Sequence, residues 1–242
     1  MQQNLPQHVA IIPDGNRRWA RLRGLPDEDG HREGRATFHK ISKIAFNLGI
    51  SYFTFWAMSE DNHAKRSIAE ISSLVSLLKE ALESNWVKEL FENQIRFRVL
   101  GNWRELAATK HLASLIDELQ WQTRSFNKHN LTVALGYGGE HEVVETIRSN
   151  IEDWHYWHPL ASSDFERVRK AAFWTKDLPR VDLEIRTGET MERWLHNSSG
   201  FMMLHTTNSE VHISPTLWPD FSEQEFKKII EEYGQRERKF GK

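Results

Sequence analysis

Hydrophobic and polar positions along the chain alternate between two textures. Short apolar runs, HVAII (8–12), SYFTFWA (51–57), IRFRVLG (95–101), LTVALGY (131–137), VDLEIR (181–186) and EVHIS (210–214), have the length and the β-branched or aromatic content of strands. Between them lie stretches with helical spacing, roughly 33–48, 67–92, 104–127, 140–152, 163–173 and 222–234. In the first of these, Phe38, Ile41, Ile44, Ala45 and Leu48 recur at three- and four-residue intervals, the stripe of a helix that buries one face. Strand–helix alternation at this cadence predicts an α/β fold, a mostly parallel sheet covered by helices with right-handed crossovers. Ligands in such sheets sit beyond the carboxyl ends of the strands. That rule singles out Asp14 to Asn16, Ser59 to Lys65, Gly136 to Gly139 and Arg186 to Glu189.

Composition narrows the chemistry. A chain of 242 residues with 39% hydrophobic residues and charges of both signs throughout has the makeup of a globular protein, long enough for a sizeable core. The formal net charge of −2 provides no global field for nucleic acid, so an anion site has to be built locally. The absence of cysteine excludes disulfides, thiolate-bound zinc and a thiol nucleophile. No apolar run approaches the roughly 20 residues that cross a bilayer. MQQNLPQHVA lacks a basic segment followed by an apolar one, and a cytoplasmic protein is expected.

The most informative stretch is HVAIIPDGNRRWA (8–20). Pro-Asp-Gly-Asn taken alone is an ordinary turn. Its context adds a glycine that lets backbone approach a ligand, a following helix start with free N–H donors, and Arg17 and Arg18 as bidentate oxyanion donors. A single carboxylate among such groups binds anions poorly by itself. It becomes useful when it holds a Mg²⁺ that the anion also ligates. Diphosphate with Mg²⁺ is the simplest ligand that uses every group. Elsewhere, His155 and His158 have no carboxylate-rich helix beside them and read as an aromatic loop. Gly136-Tyr137-Gly138-Gly139 lacks the Lys-Ser/Thr of a phosphate loop and reads as a tight strand-to-helix turn.

HVAIIPDGNRRWA resembles the first signature of the cis-prenyltransferases, the undecaprenyl diphosphate synthase family. GLPDEDGHREG (24–34), FWAMSEDN (55–62), RFRVLGNW (96–103), LTVALGYGGEHEVVETI (131–147), DLEIRTGE (182–189), TLWPDF (216–221) and RERKFG (236–241) resemble later family blocks in the family's order. The resemblance implies one domain over 1–242, a mostly parallel six-stranded sheet flanked by helices with a hydrophobic tunnel, and a homodimer. It implies cis condensation of an allylic prenyl diphosphate with isopentenyl diphosphate, dependent on Mg²⁺. It further implies that Asp14 binds the metal and that Gly15, Asn16, Arg17 and Arg18, with Trp19 and Ser59 beside them, bind the allylic substrate. His31 and Asn62 would line the same site, Arg186 would bind the second diphosphate, and Ser199 and Glu210 would stand near a binding serine and a second metal carboxylate. Met58, Phe91, Leu135 and apolar residues of 73–86 are candidate tunnel walls, although an ordinary amphipathic helix fits 67–92 equally. The tail arginines, Arg236 and Arg238, would reach a neighbouring active site. Contact with membrane surfaces would come only through a lipid product.

The sequence also departs from that pattern. The segment before His31 reads as an acidic loop, Asp27, Glu28 and Asp29, where the family often has arginine. His63 replaces a tryptophan, Gly136 replaces an asparagine, and Lys65 or Arg66 stands for an arginine. RTGETMERWLHNSSGF (186–201) is longer than the family block and lacks its Arg-x-Ser pair in register, which leaves Arg193 to reach in from the insertion. The change touches the nucleophile's pocket and spares the donor's. Two alternatives follow: an irregular, non-head-to-tail condensation with dimethylallyl diphosphate as nucleophile, and a non-catalytic partner subunit of the same fold.

Overall fold

Strand β1 (His8–Ile12) is buried along its whole length because it lies inside a sheet, with β2 (Tyr52–Ser59) on one side and β5 (Leu183–Arg186) on the other. In this computed structural model, which describes residues 4–61, 68–150, 164–190 and 200–236, the full order is β3 (Ile95–Leu100), β4 (His129–Tyr137), β2, β1, β5, β6 (Glu210–Ile213). Every neighbouring pair is parallel, so the sheet is wholly rather than mostly parallel. Burial follows position. All nine residues of β4 are buried, whereas edge strand β3 alternates between buried and half-buried.

Period-two alternation sends Val9 and Ile11 to one face of the sheet and Ala10 and Ile12 to the other. The first face carries the larger core, shared with Ile41, Ile44 and Ala45 of helix α2 (Asp27–Asn47) and with Phe226, Ile229 and Ile230 of a C-terminal helix, Glu223–Gln235. The second face packs Trp56 flat against Phe201, ring centroids 4.7 Å apart. On this side Glu142, fully buried on the helix after β4 (Gly139–Asn150), accepts from the Tyr137 hydroxyl at 2.5 Å and from the Trp174 and Thr175 backbone N–H groups at 3.1 and 2.8 Å. These bonds tie the turn around 174 to the sheet.

Helices depart from the sequence reading in three places. A short helix, α1 (Asn16–Leu22), follows β1 directly. Helix α2 starts at Asp27, so the acidic segment is a helical first turn rather than a loop. Carboxylates there suit the positive end of the helix dipole, and Asp27 and Asp29 are also paired with Arg21 and Arg32. The stretch 67–92 splits into α3 (Ile68–Leu82) and α4 (Trp86–Glu92) around Ser84 and Asn85, residues that bond locally: the Ser84 hydroxyl donates to Ala81 O and accepts from Trp86 N. The stretch 104–127 begins as a 3₁₀ segment (Ala107–Leu112) before α5 (Ala113–Gln122). With the helices Gly139–Asn150 (α6), Phe165–Lys170 (α7) and Glu223–Gln235 (α8), eight α-helices flank the sheet among the described residues.

His8, fully buried at the start of β1, bonds Pro179 O through Nδ1 and Thr54 Oγ1 through Nε2. Desolvation pushes its pKa down to about 4, with partial compensation from the Pro179 carbonyl and Asp182. The unfolded chain protonates His8 near pH 6.5, so its contribution to stability is complete above that value and falls as pH drops from there toward 4. Between pH 7.5 and 5 the wild-type unfolding free energy should fall by about 2 kcal/mol more than that of His8→Asn. Parallel urea titrations check this, and equal slopes for the two proteins would refute it.

Candidate active site

Strand order reverses direction at β1, because the chain steps from β1 to β2 on one side and later returns to β5 on the other. The carboxyl ends of β2, β1 and β5 therefore frame a crevice at this switch point. Asp14 leaves β1 there under tight backbone control. Its N–H donates to Thr187 Oγ1 at 3.1 Å, and its carbonyl accepts from Trp218 N at 3.0 Å and from the Thr187 hydroxyl at 3.1 Å. Gly15 follows at φ 109°, and a Cβ on it would lie 2.7 Å from Leu217 Cδ2. Only glycine makes this turn without displacing the 217–218 segment.

The Asp14 carboxylate sits between two guanidinium groups. Arg18 Nη2 is 3.1 Å from Oδ1 and Arg186 Nη2 is 3.7 Å from Oδ2. Arg186 is nearly buried and also donates to Glu189 Oε1 at 3.3 Å. Gly188, at φ 72°, makes room for this arrangement, since a Cβ there would meet Arg18 Nη2 and Asp14 O at 2.7 Å.

Helix α2 closes the crevice through two glycines. A Cβ on Gly30 would lie 2.1 Å from Asn16 O, and one on Gly34 would lie 2.1 Å from Asn16 Oδ1. Their absence lets α2 press on α1, so that His31, Arg35 and Phe38, spaced four and three residues apart, present one stripe to the same space. The space is a cavity of about 930 Å³. Asp14, Arg17, Arg18, Arg21, Arg35 and Arg186 ring its mouth. Its interior is apolar, walled by Phe38, Phe55, Leu74, Leu78, Trp86 and Phe97.

Of the residues singled out from the sequence, Asp14, Gly15, Asn16, Arg17, Arg18, His31, Ser59 and Arg186 all line this cavity. Trp19 does not. Its indole N–H donates to Asp220 Oδ1 at 2.6 Å, and the Arg23 guanidinium stacks on its ring. Glu210 is likewise absent from the lining. It pairs with Leu183 at the amino end of β5, about 10 Å of strand away from the Arg186 end, and its carboxylate accepts from Arg236 at 2.8 Å. Asn62, Lys65, Arg193, Ser199 and Arg238 lie outside the described residues. Met58 joins the walls, whereas Phe91 packs edge-on against Phe126 and Leu135 is buried in the core. Asp61 and Glu189, within the strand-end segments singled out from the sequence, also line it, whereas sequence reading missed Arg21, Arg35 and Glu140. The four-residue step from His31 to Arg35 was the available signal for one of them.

Comparison with known proteins now decides the family. The sequence model of the undecaprenyl diphosphate synthase family matches residues 12–241. The chain belongs to this family. It is 36% identical to the isoprenyl transferase of Fusobacterium nucleatum subsp. nucleatum over all of this chain and 98% of that protein. It is 32% identical to the isoprenyl transferase of Thermotoga maritima over 98% of this chain and 97% of that one. Among solved structures, lavandulyl diphosphate synthase from Lavandula x intermedia, in complex with dimethylallyl diphosphate, superposes with a TM-score of 0.86 at 29% identity, covering 98% of this chain and 99% of that chain. The protein is a prenyltransferase, and the charged mouth over an apolar cavity is the feature its chemistry has to use.

Gly30→Ala tests the α1–α2 closure. The added methyl meets backbone rather than a side chain that could swing away, so a loss of roughly 2 kcal/mol or more is expected in urea unfolding. Wild-type stability in that variant would show that the two helices are not in such contact.

Proposed function

We propose that this prenyltransferase condenses an allylic prenyl diphosphate with isopentenyl diphosphate in cis, in a Mg²⁺-dependent reaction. The observation that carries the reading is the make-up of the cavity, which joins Asp14 and several guanidinium groups to a wall of apolar side chains. A diphosphate headed by a prenyl chain matches both halves. The donor set also suits Mg²⁺, which takes one or two carboxylates and completes its shell with phosphate oxygens and water. Among the described residues no group of three or more His, Asp or Glu forms an all-protein cage. Asp14 would hold the metal, and the Glu210 of the same chain is too far along the sheet to share it.

In this reading Asn16, Arg17 and Arg18 bind the allylic diphosphate, and Arg186 faces the second diphosphate with Ser199 and Arg193 as its sequence-based partners. Negative charge grows on the departing diphosphate as the allylic C1–O bond breaks. Guanidinium groups held in place beforehand stabilise that charge without reorganising. Bound Mg²⁺ would add Lewis-acid neutralisation of the same charge. His31 and Ser59 add polar groups to the cavity lining, with Asn62 and Lys65 as their sequence-based partners, the isopentenyl alkene attacks C1, and a proton leaves the new unit. The prenyl chain lies against Phe38, Phe55 and Leu78, away from water that would trap a carbocation. The same reading takes the protein as a cytoplasmic homodimer that meets membranes through its lipid product. No described helix is long and apolar enough to cross one.

A second reading has its own support. The 186–201 segment departs from the family block on the nucleophile's side alone, and the solved neighbour that holds dimethylallyl diphosphate is a lavandulyl diphosphate synthase. Dimethylallyl diphosphate would then replace isopentenyl diphosphate as nucleophile.

Purified protein with Mg²⁺ and labelled isopentenyl diphosphate, given C5, C10, C15 or C20 allylic donors, should form elongated products. Product from dimethylallyl diphosphate alone would transfer the assignment to the second reading, and intact diphosphate in every mixture would sink both. Asp14→Ala should lose about 100-fold or more in kcat while its urea midpoint stays near wild type, because that side chain is 39% exposed. Equal loss of turnover and stability would remove the metal role.

A further inference from the structure

Trp56 lines the cavity and is 7% exposed, yet its indole Nε1 has no acceptor among the described residues. Buried tryptophan N–H groups ordinarily find a partner. A buried donor left unpaired costs about 1–3 kcal/mol, and phenylalanine would make the same ring contact without that cost. The direction of the N–H is also set in advance. The indole lies flat against Phe201, with ring centroids 4.7 Å and planes 12° apart.

Strand register places this donor. Trp56 is opposite Ala134 on β4. One step beyond the Ile11–Phe55 pair, it stands beside Ile12 on β1, and Ile12 is opposite Arg186 on β5. Trp56, Ile12 and Arg186 therefore form one row across three adjacent strands. Alternation puts all three on the same sheet face, since Ile12 and Trp56 belong to the second core and Arg186 follows Ile185 of the first. Two strand spacings, about 10 Å, separate the backbones of Trp56 and Arg186. Phe55, Phe97 and Val133, the apolar wall contributed by the sheet, lie on the opposite face. The prenyl chain and the Trp56–Arg186 row thus use different sides of the cavity.

We propose that Trp56 is a binding residue for the second, nucleophilic substrate and donates its indole N–H to that substrate's diphosphate beside Arg186. The inference rests on the prenyl-diphosphate reading above and adds a donor to its second substrate's site. A C5 prenyl diphosphate carries acceptors only on its diphosphate, so the N–H has no other atom of that molecule to bind. The acceptor is anionic, which strengthens the bond. A neutral donor also complements Arg186 in a specific way. Asp14 and Glu189 already engage that guanidinium at 3.7 and 3.3 Å, whereas nothing in the row competes for the indole.

Trp56→Phe keeps a ring on Phe201 and deletes the N–H. It is compared with wild type and with Trp121→Phe, a control at an exposed tryptophan on α5, and near-ultraviolet circular dichroism verifies folding. With a C15 donor and Mg²⁺, the KM for isopentenyl diphosphate should rise about tenfold or more in Trp56→Phe. Its kcat and its KM for the donor should stay within about twofold of wild type, the pattern of lost ground-state binding. Nitrogen-15 labelling of the ten tryptophans reads the bond without turnover. The indole resonance missing from Trp56→Phe is that of Trp56, and Trp56→Tyr assigns it where phenylalanine destabilises the chain. In wild type this N–H proton should hold its position when an inert C15 thiolodiphosphate and Mg²⁺ are added, and move downfield when isopentenyl diphosphate follows. A resonance that the second substrate leaves in place, or that the donor analogue alone moves downfield, overturns the inference, as does a folded Trp56→Phe with wild-type KM for isopentenyl diphosphate. Wild-type protein that incorporates no isopentenyl diphosphate refutes the elongation reading instead, and the same titration with dimethylallyl diphosphate then decides the role of Trp56 alone.

Discussion

A carboxylate held between two arginines at the carboxyl end of the central strand is the constraint on which the rest depends. Asp14 cannot drift, because Thr187 grips both its N–H and its carbonyl and Trp218 grips the carbonyl again. Those partners come from the far end of the sequence, so β1, β5 and the 217–218 segment must all be in place before the carboxylate has an address. The parallel register of β1 with β5 supplies that alignment, placing Ile12 opposite Arg186 one step before the two loops diverge. Sheet topology and site electrostatics are thus one arrangement: the switch point that opens a crevice also brings Arg186 to Asp14.

Helix α2 connects that charged corner to the grease beneath it. Gly30, Gly34 and Ile41 face inward, toward α1 and the core, while His31, Arg35 and Phe38 face the cavity. Both series follow helical spacing, rotated by one residue. A single helix therefore carries imidazole and guanidinium at the rim and a phenyl ring one turn deeper. The abrupt change from polar to apolar is a consequence of the helix running down the cavity wall. The same geometry explains the acidic first turn. Asp27, Glu28 and Asp29 complement the helix dipole and pair with nearby arginines instead of confronting a diphosphate.

Much of this was legible in the sequence, and the failures have physical causes. Six apolar runs became six strands because buried parallel strands leave an unbroken hydrophobic signature. The cluster from Asp14 to Arg18 was legible because its members are contiguous and fold into one loop and one short helix. The break before Trp86 was not, because Ser84 and Asn85 are tolerated inside helices and end one only when the side chain bonds back to the local backbone. Trp19 and Glu210 show another limit. Each stands beside informative residues in the chain, yet a helix face turns Trp19 toward Asp220, and parallel register puts Glu210 opposite Leu183, at the amino end of the β5–β6 pair. Proximity in sequence carries no information about which end of a strand a residue occupies until the register is known.

Charge balance at the mouth sets a condition on binding. Arg18 and Arg186 face Asp14 and Glu189, two cations against two carboxylates, so the inner corner is close to neutral as it stands. A diphosphate entering there gains from the guanidinium groups only to the extent that the carboxylates are otherwise occupied. On the proposed reading a divalent cation held by Asp14 would do this, because it would neutralise the repelling carboxylate. Arg17, Arg21 and Arg35, further out on the rim, add attraction before that exchange takes place. On that reading donor and metal would favour each other's binding at this corner, and the coupling would follow from the ion pairs that also keep Asp14 in position.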